Sequence, residues 1–286
     1  MPTKIEKDSV TGTETTGHEW DGIKELNNPL PRWWLYIFWA SVLFAVVYWV
    51  LYPAWPIPGG HTKGILGWTQ HGVLSESQAV AKAAQAGYVD RIAKTDIQGI
   101  ASDPDLLNFA LAGGRAAFGD NCAPCHGSGA QGFVGFPNLN DDHWLWGGKL
   151  DDIYTTVKFG IRAKHEDSRF SEMPAFGKDE ILTKQDIATV ADHVLSLSGK
   201  GKSTPKGAEI FAENCSACHG DTGNGDITQG APRLNDALWL YGGDRATIIE
   251  TVTKSRGGVM PAWTGRLDDA TIKSLAVYVH SLGGGQ

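Results

Sequence analysis

Cys122-Ala123-Pro124-Cys125-His126 and Cys215-Ser216-Ala217-Cys218-His219 are two copies of one pattern, C-x-x-C-H. Thiols three residues apart can add to the two vinyl groups of a single porphyrin. The His that follows can then offer a neutral imidazole nitrogen to the iron. The pattern is the attachment signature of c-type haem. The chain has 286 residues and four Cys, and the two pentapeptides use all four. Zinc would need four Cys or His ligands gathered at one site, whereas these pairs begin at positions 122 and 215. Two covalently bound haems are therefore expected, one through Cys122 and Cys125 and one through Cys215 and Cys218. His126 and His219 are their first axial ligands.

The sequence around the two motifs repeats in the same order. Gly114-Arg115-Ala116-Ala117-Phe118 matches Gly207-Ala208-Glu209-Ile210-Phe211. Pro137-Asn138-Leu139-Asn140 matches Pro232-Arg233-Leu234-Asn235, and Trp144-Leu145-Trp146-Gly147-Gly148 matches Trp239-Leu240-Tyr241-Gly242-Gly243. Met173-Pro174-Ala175-Phe176 matches Met260-Pro261-Ala262-Trp263. Each copy starts with a short helix and ends with an amphipathic one. Ile187, Val190, Ala191 and Val194 share one face in the first copy, and Ile272, Leu275, Ala276 and Val279 share one in the second. Gly114 and Gly207 predict that the first and last helices of each copy cross closely. The residues from Ala163 to Arg169 are extra in the first copy and read as a charged surface loop.

The sixth ligand follows from the methionines. The chain has three, of which one is the first residue. Met173 and Met260 occupy matching positions, one per copy. An isolated core Met is usually gap filler. A matched pair, each followed by Pro-Ala-aromatic, predicts His/Met ligation at both irons, which closes the iron and raises its potential. His143, His165, His193 and His280 do not recur between copies and read as surface or packing residues. Pro137 and Pro232 are either turn residues or carbonyl acceptors that fix the imidazole tautomer, and both can hold at once. Trp144 and Trp239 are candidates for the haem pocket, with an indole N–H available to a propionate.

Trp33 to Tyr52 is an uncharged run of 20 residues without Gly or Pro. As a helix it is about 30 Å long, the thickness of a bilayer's hydrocarbon core. Aromatics crowd both ends, and Pro53 and Pro56 stop it. It follows some 30 polar residues and lacks a small-residue cleavage site, so it reads as an anchor and not a signal peptide. Covalent haem is attached outside the bacterial cytoplasm. That places the haem domains in the periplasm and the N-terminus in the cytoplasm of a single-pass inner-membrane protein. Net charge is −7, which excludes a basic nucleic-acid surface.

The organisation expected is mainly α: an arm (1–31), a transmembrane anchor (32–56), a connector with short helices (57–111), and haem domains at 112–199 and 200–286. The arm is expected to be mobile to Gly17, with a short helix after it that stops at Asn27-Asn28-Pro29. In the connector, Ser75-Glu76-Ser77-Gln78 resembles a capping box. Asp103-Pro104 reads as a second helix start, and Gly113-Gly114 as its break. His61 and His71 read as surface residues.

The two C-terminal copies resemble class I cytochrome c domains. The whole arrangement, and above all HEWDGIKELNNPLPRWWLYIFWASVLFAVVYWVLYPAWP, resembles the dihaem subunit of cbb3-type cytochrome c oxidases. The resemblance implies an electron-transfer subunit with no bond-making chemistry of its own. It implies a haem–copper catalytic subunit and a monohaem cytochrome subunit as neighbours, and a cytochrome bc1 complex or a cytochrome c as donor. It also pairs Met173 with the Cys122–His126 haem and Met260 with the Cys215–His219 haem. A free-standing anchored shuttle and a dihaem peroxidase are the rival readings; a peroxidase needs an open iron, against which the paired Met residues argue.

Overall fold

The computed structural model describes residues 4–285, which fall into two compact units divided between Ala83 and Ala84. In the first unit, β1 (Thr15–Trp20) and β2 (Ile23–Leu26) form an antiparallel hairpin, with Trp20 opposite Ile23. This corrects the expected short helix. Asp21 (φ 48°) and Gly22 (φ 84°) are both left-handed, the geometry of a tight hairpin turn. The Asp-Gly pair between the strands is the signal for it. Within residues 4–14, Asp8 closes a local turn by accepting from the Thr11 N–H and hydroxyl, both at 2.7 Å.

Helix α1 (Arg32–Leu51) is the apolar span, and none of its residues is buried. A core helix of this composition would be covered; one that faces hydrocarbon need not be. Beyond it, β3 (Pro56–Ile57) and β4 (Gly60–His61) form a minimal hairpin. The Ile65 and Leu66 N–H groups return to the Val50 and Leu51 carbonyls. These bonds satisfy carbonyls that a helix end leaves open.

Helix α2 (Gln70–Lys94) starts earlier than the Ser75 capping box suggests. Thr69 is its cap, its hydroxyl accepting from the Gly72 N–H at 2.9 Å. Helix α3 (Ile97–Ser102) is capped by Asp96. Helix α4 (Pro104–Asn121) starts as expected, with Asp103 accepting from the Asp105 and Leu106 N–H groups. Gly113 and Gly114 do not break α4; the helix runs through them to the first haem motif, which forms the single turn α5 (Ala123–His126). Then come α6 (Leu150–Phe159), α7 (Lys184–Leu197), α8 (Pro205–Asn214), the turn α9 (Ser216–His219), α10 (Arg245–Lys254) and α11 (Asp269–His280).

The second unit has two cores, and they do not follow the two sequence copies. One joins α3, α4, α6 and α11: Ile100, Phe118, Ile153, Ile272 and Leu275 are buried together. The other joins α7, α8 and α10: Val190, Ala191, Ile210, Phe211 and Ile248 are buried together. Each copy's last helix therefore packs on the other copy's first helix. A Cβ at Gly114 would run into the Ser274 carbonyl of α11, and one at Gly207 would sit 2.8 Å from the Thr189 carbonyl of α7. The close crossings are where the sequence predicts them, but the partners are exchanged. Matching aromatic pairs flank them: Phe118 with Tyr278 at 5.5 Å, and Phe211 with His193 at 5.0 Å. His193 is thus a packing residue. Tyr154 of α6 donates to Asp269 of α11 at 2.5 Å, and Lys158 donates to Tyr154 at 2.7 Å, which ties the exchanged helix down further.

Two chain segments carry the exchange. Ile161 and Met260 exchange both backbone hydrogen bonds, at 2.9 and 3.0 Å. On the other side, the Lys178 N–H donates to the Thr253 carbonyl and the Ser255 hydroxyl to the Met173 carbonyl. Arg162 pins both crossing segments at once. Its Nε donates to the Gly258 carbonyl at 2.7 Å and its Nη1 to the Ser171 carbonyl at 3.0 Å.

Candidate haem sites

Each haem motif is a one-turn helix continuing from the preceding helix end. The His126 N–H donates to the Cys122 carbonyl at 2.9 Å, and the His219 N–H to the Cys215 carbonyl at 3.0 Å. Gly127 and Gly220, at φ 82° and 75°, then turn the chain away, which a side chain would resist. All four cysteines are free of disulfides. Burial pushes the Cys122 and Cys215 thiols up to about 11, so both are neutral thiols at neutral pH.

The imidazoles are oriented from below. His126 Nδ1 lies 3.0 Å from the Pro137 carbonyl oxygen, and His219 Nδ1 lies 2.9 Å from that of Pro232. A carbonyl oxygen can only accept, so Nδ1 carries the proton and Nε2 presents its lone pair. Burial holds both imidazoles below the usual His value, while the prolyl carbonyls pull slightly upward. The neutral form is the one that binds a metal.

The methionines are placed otherwise than the sequence copies suggest. Met260 packs on the core that contains Phe118, together with Cys122 and Trp144. Met173 packs on the core that contains Phe211, together with Cys215 and Trp239. This packing differs from the expected pairing of Met173 with His126 and of Met260 with His219. Each Met stands with the haem motif of the other copy, because the chain crosses over between the two cores just before it.

Trp144 and Trp239 diverge. The Trp144 indole N–H is engaged by the Gly284 carbonyl, so it is not available to a propionate. The Trp239 N–H is buried and unpartnered. Among the described residues, the other buried side-chain donor without a partner is Arg169 Nε. Arg169 ends the segment read as a surface loop, but its guanidinium packs inward, 5.4 Å over the Trp146 ring. Buried unpaired donors of this kind fit a site built around an anionic group. Paired thiols, oriented imidazoles and a Met in each core complete a donor set that suits c-type haem. His143 links the two copies, with Nδ1 3.1 Å from an Asp236 carboxylate oxygen. His165 packs 5.0 Å from the Phe159 ring.

Comparison with known proteins agrees with this chemistry. Residues 12–58 match the N-terminal domain of cytochrome oxidase-cbb3, FixP. Residues 111–198 match cytochrome c, and residues 202–279 match cytochrome c oxidase, cbb3-type, subunit III. The cbb3-type cytochrome c oxidase subunit CcoP of Azospirillum sp. (strain B510) is 56% identical, over 98% of both chains. The chain belongs to the CcoP/FixP family of cbb3-type oxidase subunits. The FixP subunit of Bradyrhizobium diazoefficiens is 52% identical, and the CcoP subunit of Cereibacter sphaeroides 50%, each over the full length of both chains. The N-terminal match spans the apolar helix Arg32–Leu51, whose length and composition fit a membrane anchor.

Proposed function

We infer that this chain is the membrane-anchored electron-transfer subunit of a cbb3-type oxidase, carrying two covalent haems, each closed by His and Met. A c-type haem bound at either motif supplies a one-electron couple. Cys122 and Cys125 tether one ring and Cys215 and Cys218 the other. His126 and His219 each direct Nε2 at an iron while a prolyl carbonyl holds the opposite nitrogen. Met260 completes the site of His126, and Met173 that of His219. Thioether ligation raises the potential and leaves no open position for substrate, which disfavours the peroxidase reading.

The observation that carries this reading is the repeated set of C-x-x-C-H, prolyl carbonyl and core Met, built twice within one packed unit. Because each Met reaches its core across the exchange, the two sites share one scaffold. The haem domains lie on the periplasmic side, with the N-terminal hairpin in the cytoplasm, since covalent haem attachment takes place outside the cytoplasm. Electrons arrive from a cytochrome bc1 complex or a cytochrome c. They leave toward the haem–copper subunit, beside a monohaem cytochrome subunit.

Purification in mild detergent tests the assignment. Haem–copper subunits should co-purify, and both haems should be low-spin in both oxidation states. A chain that purifies alone with its full haem complement would favour the free shuttle. One high-spin haem with rapid peroxide turnover would favour the peroxidase.

A further inference from the structure

Arg169 and Arg256 each lie four residues before an axial Met candidate. They are also equivalent in space. Arg169 lies over Trp146, and Arg256 lies 4.6 Å over Tyr241, the matching residue of the other copy. Each Nη2 donates to a matching backbone carbonyl, that of Asp152 at 3.2 Å and that of Thr247 at 3.0 Å. Beyond this the two differ. Arg256 is fully engaged by α10: its Nε donates to the Thr251 hydroxyl at 3.1 Å, and Glu250 lies 3.8 Å from Nη1. The residue matching Thr251 is Thr156, and the two hydroxyls donate alike, to the Asp152 and Thr247 carbonyls at 2.8 and 2.9 Å. Arg169 Nε is left buried with no acceptor.

An unmet buried donor costs about 1–3 kcal/mol, so it calls for a partner. The donor belongs to a guanidinium, which suits a carboxylate. Asp152 is the carboxylate in contact, 3.4 Å from Nη2, and it leaves Nε open. Arg169 is held to α6 through the Asp152 carbonyl, and Leu150, Ile153 and Val157 of α6 lie in the core that holds Cys122, not in the one that holds Met173 four residues later. We propose that Arg169 binds a propionate carboxylate of the haem tethered by Cys122 and Cys125, and that Arg256 has no such role. Arg169 is then a positioning residue whose fixed positive charge favours the reduced state of that haem alone.

This inference rests on the haem-binding reading, and the experiment separates the two. The full-length membrane protein is titrated as wild type, Arg169→Gln, Arg169→Lys and Arg256→Gln. One further variant, Cys122→Ser, leaves a single thioether on the first haem and marks its visible band. Two haems per chain by pyridine haemochrome support the binding reading whatever the potentials do; fewer than two in the wild type would overturn it. Arg169→Gln should lower the potential of the marked haem threefold to tenfold in its reduced-to-oxidised ratio, about 30–60 mV at 59 mV per tenfold. Arg169→Lys should recover most of that shift, and Arg256→Gln should move neither potential. No shift in Arg169→Gln, a shift confined to the other haem, or equal shifts from both arginines would overturn the proposal.

Discussion

The core around His126 and the core around His219 use the same parts but are closed differently. The second is contiguous in sequence, from Met173 through α7, α8 and α9 to α10. The first is assembled from both ends of the unit. Its α3, α4 and α6 are closed by α11, the last helix of the chain. A site built from one stretch can form as soon as that stretch is complete. A site closed by the final helix depends on the whole chain. The exchange also means that neither core can be cut out along the boundary between the sequence copies.

Removing everything after Gly258 would break the comparison most severely. It deletes Met260 and α11, whose Ile272, Leu275, Val277 and Val279 are almost fully buried. At about 1.5–3 kcal/mol per buried apolar side chain, that loss rivals the 5–15 kcal/mol stability of a whole domain. The first core should unfold, and its haem should lose the low-spin His/Met spectrum. The second haem should keep that spectrum, since Met173, α7, α8 and α10 remain. Absorption and electron paramagnetic resonance spectra of the truncated protein check this; loss at the second haem with the first intact would reverse the assignment.

Smaller changes at the two helix crossings sharpen the comparison. A Cβ at Gly114 would meet the Ser274 backbone carbonyl and the Tyr278 Cβ, the latter at 2.7 Å. At Gly207 the nearest atoms are the Thr189 carbonyl oxygen at 2.8 Å and the His193 Cβ at 3.1 Å. Overpacking a tight core costs about 1–3 kcal/mol. Gly114→Ala should fall at the upper end of that range and Gly207→Ala at the lower. Denaturant titrations followed at the haem bands would show the difference. Equal costs would mean that the two crossings are equally tight.

Much of the candidate haem sites' make-up was legible in the residues. The C-x-x-C-H motifs, the matched Met residues and the prolines that hold the imidazoles all rest on local spacing or on the repeat itself. The exchange was harder to see because it is degenerate in pattern. Helices α7 and α11 carry the same apolar spacing, so either could cover either Gly-and-Phe helix. Chain connection breaks the tie. Only residues 198–204 separate α7 from α8, and helices joined by so short a link pack as neighbours. That leaves α11 for α4. The inward turn of Arg169 was hidden for another reason: a charged insertion looks like a surface loop, and its packing on Trp146 depends on the crossing segments. The hairpin at 15–26 was readable from Asp21-Gly22, but the stop signal at Asn27-Asn28-Pro29 suggested a helix end.

The exchange of axial methionines is tested most directly in chains that carry one haem. With Cys122→Ser and Cys125→Ser together, only the haem at Cys215 and Cys218 is attached. Into that background Met173→Ala or Met260→Ala is introduced, and the reverse pair of cysteine changes gives the reciprocal set. Axial ligation is read from the spin state and the midpoint potential. Met173→Ala should open the iron of the Cys215–Cys218 haem and lower its potential, while Met260→Ala leaves it low-spin; in the reciprocal background the roles should swap. Loss of ligation by Met260→Ala at the Cys215–Cys218 haem, with Met173→Ala silent there, would contradict the account.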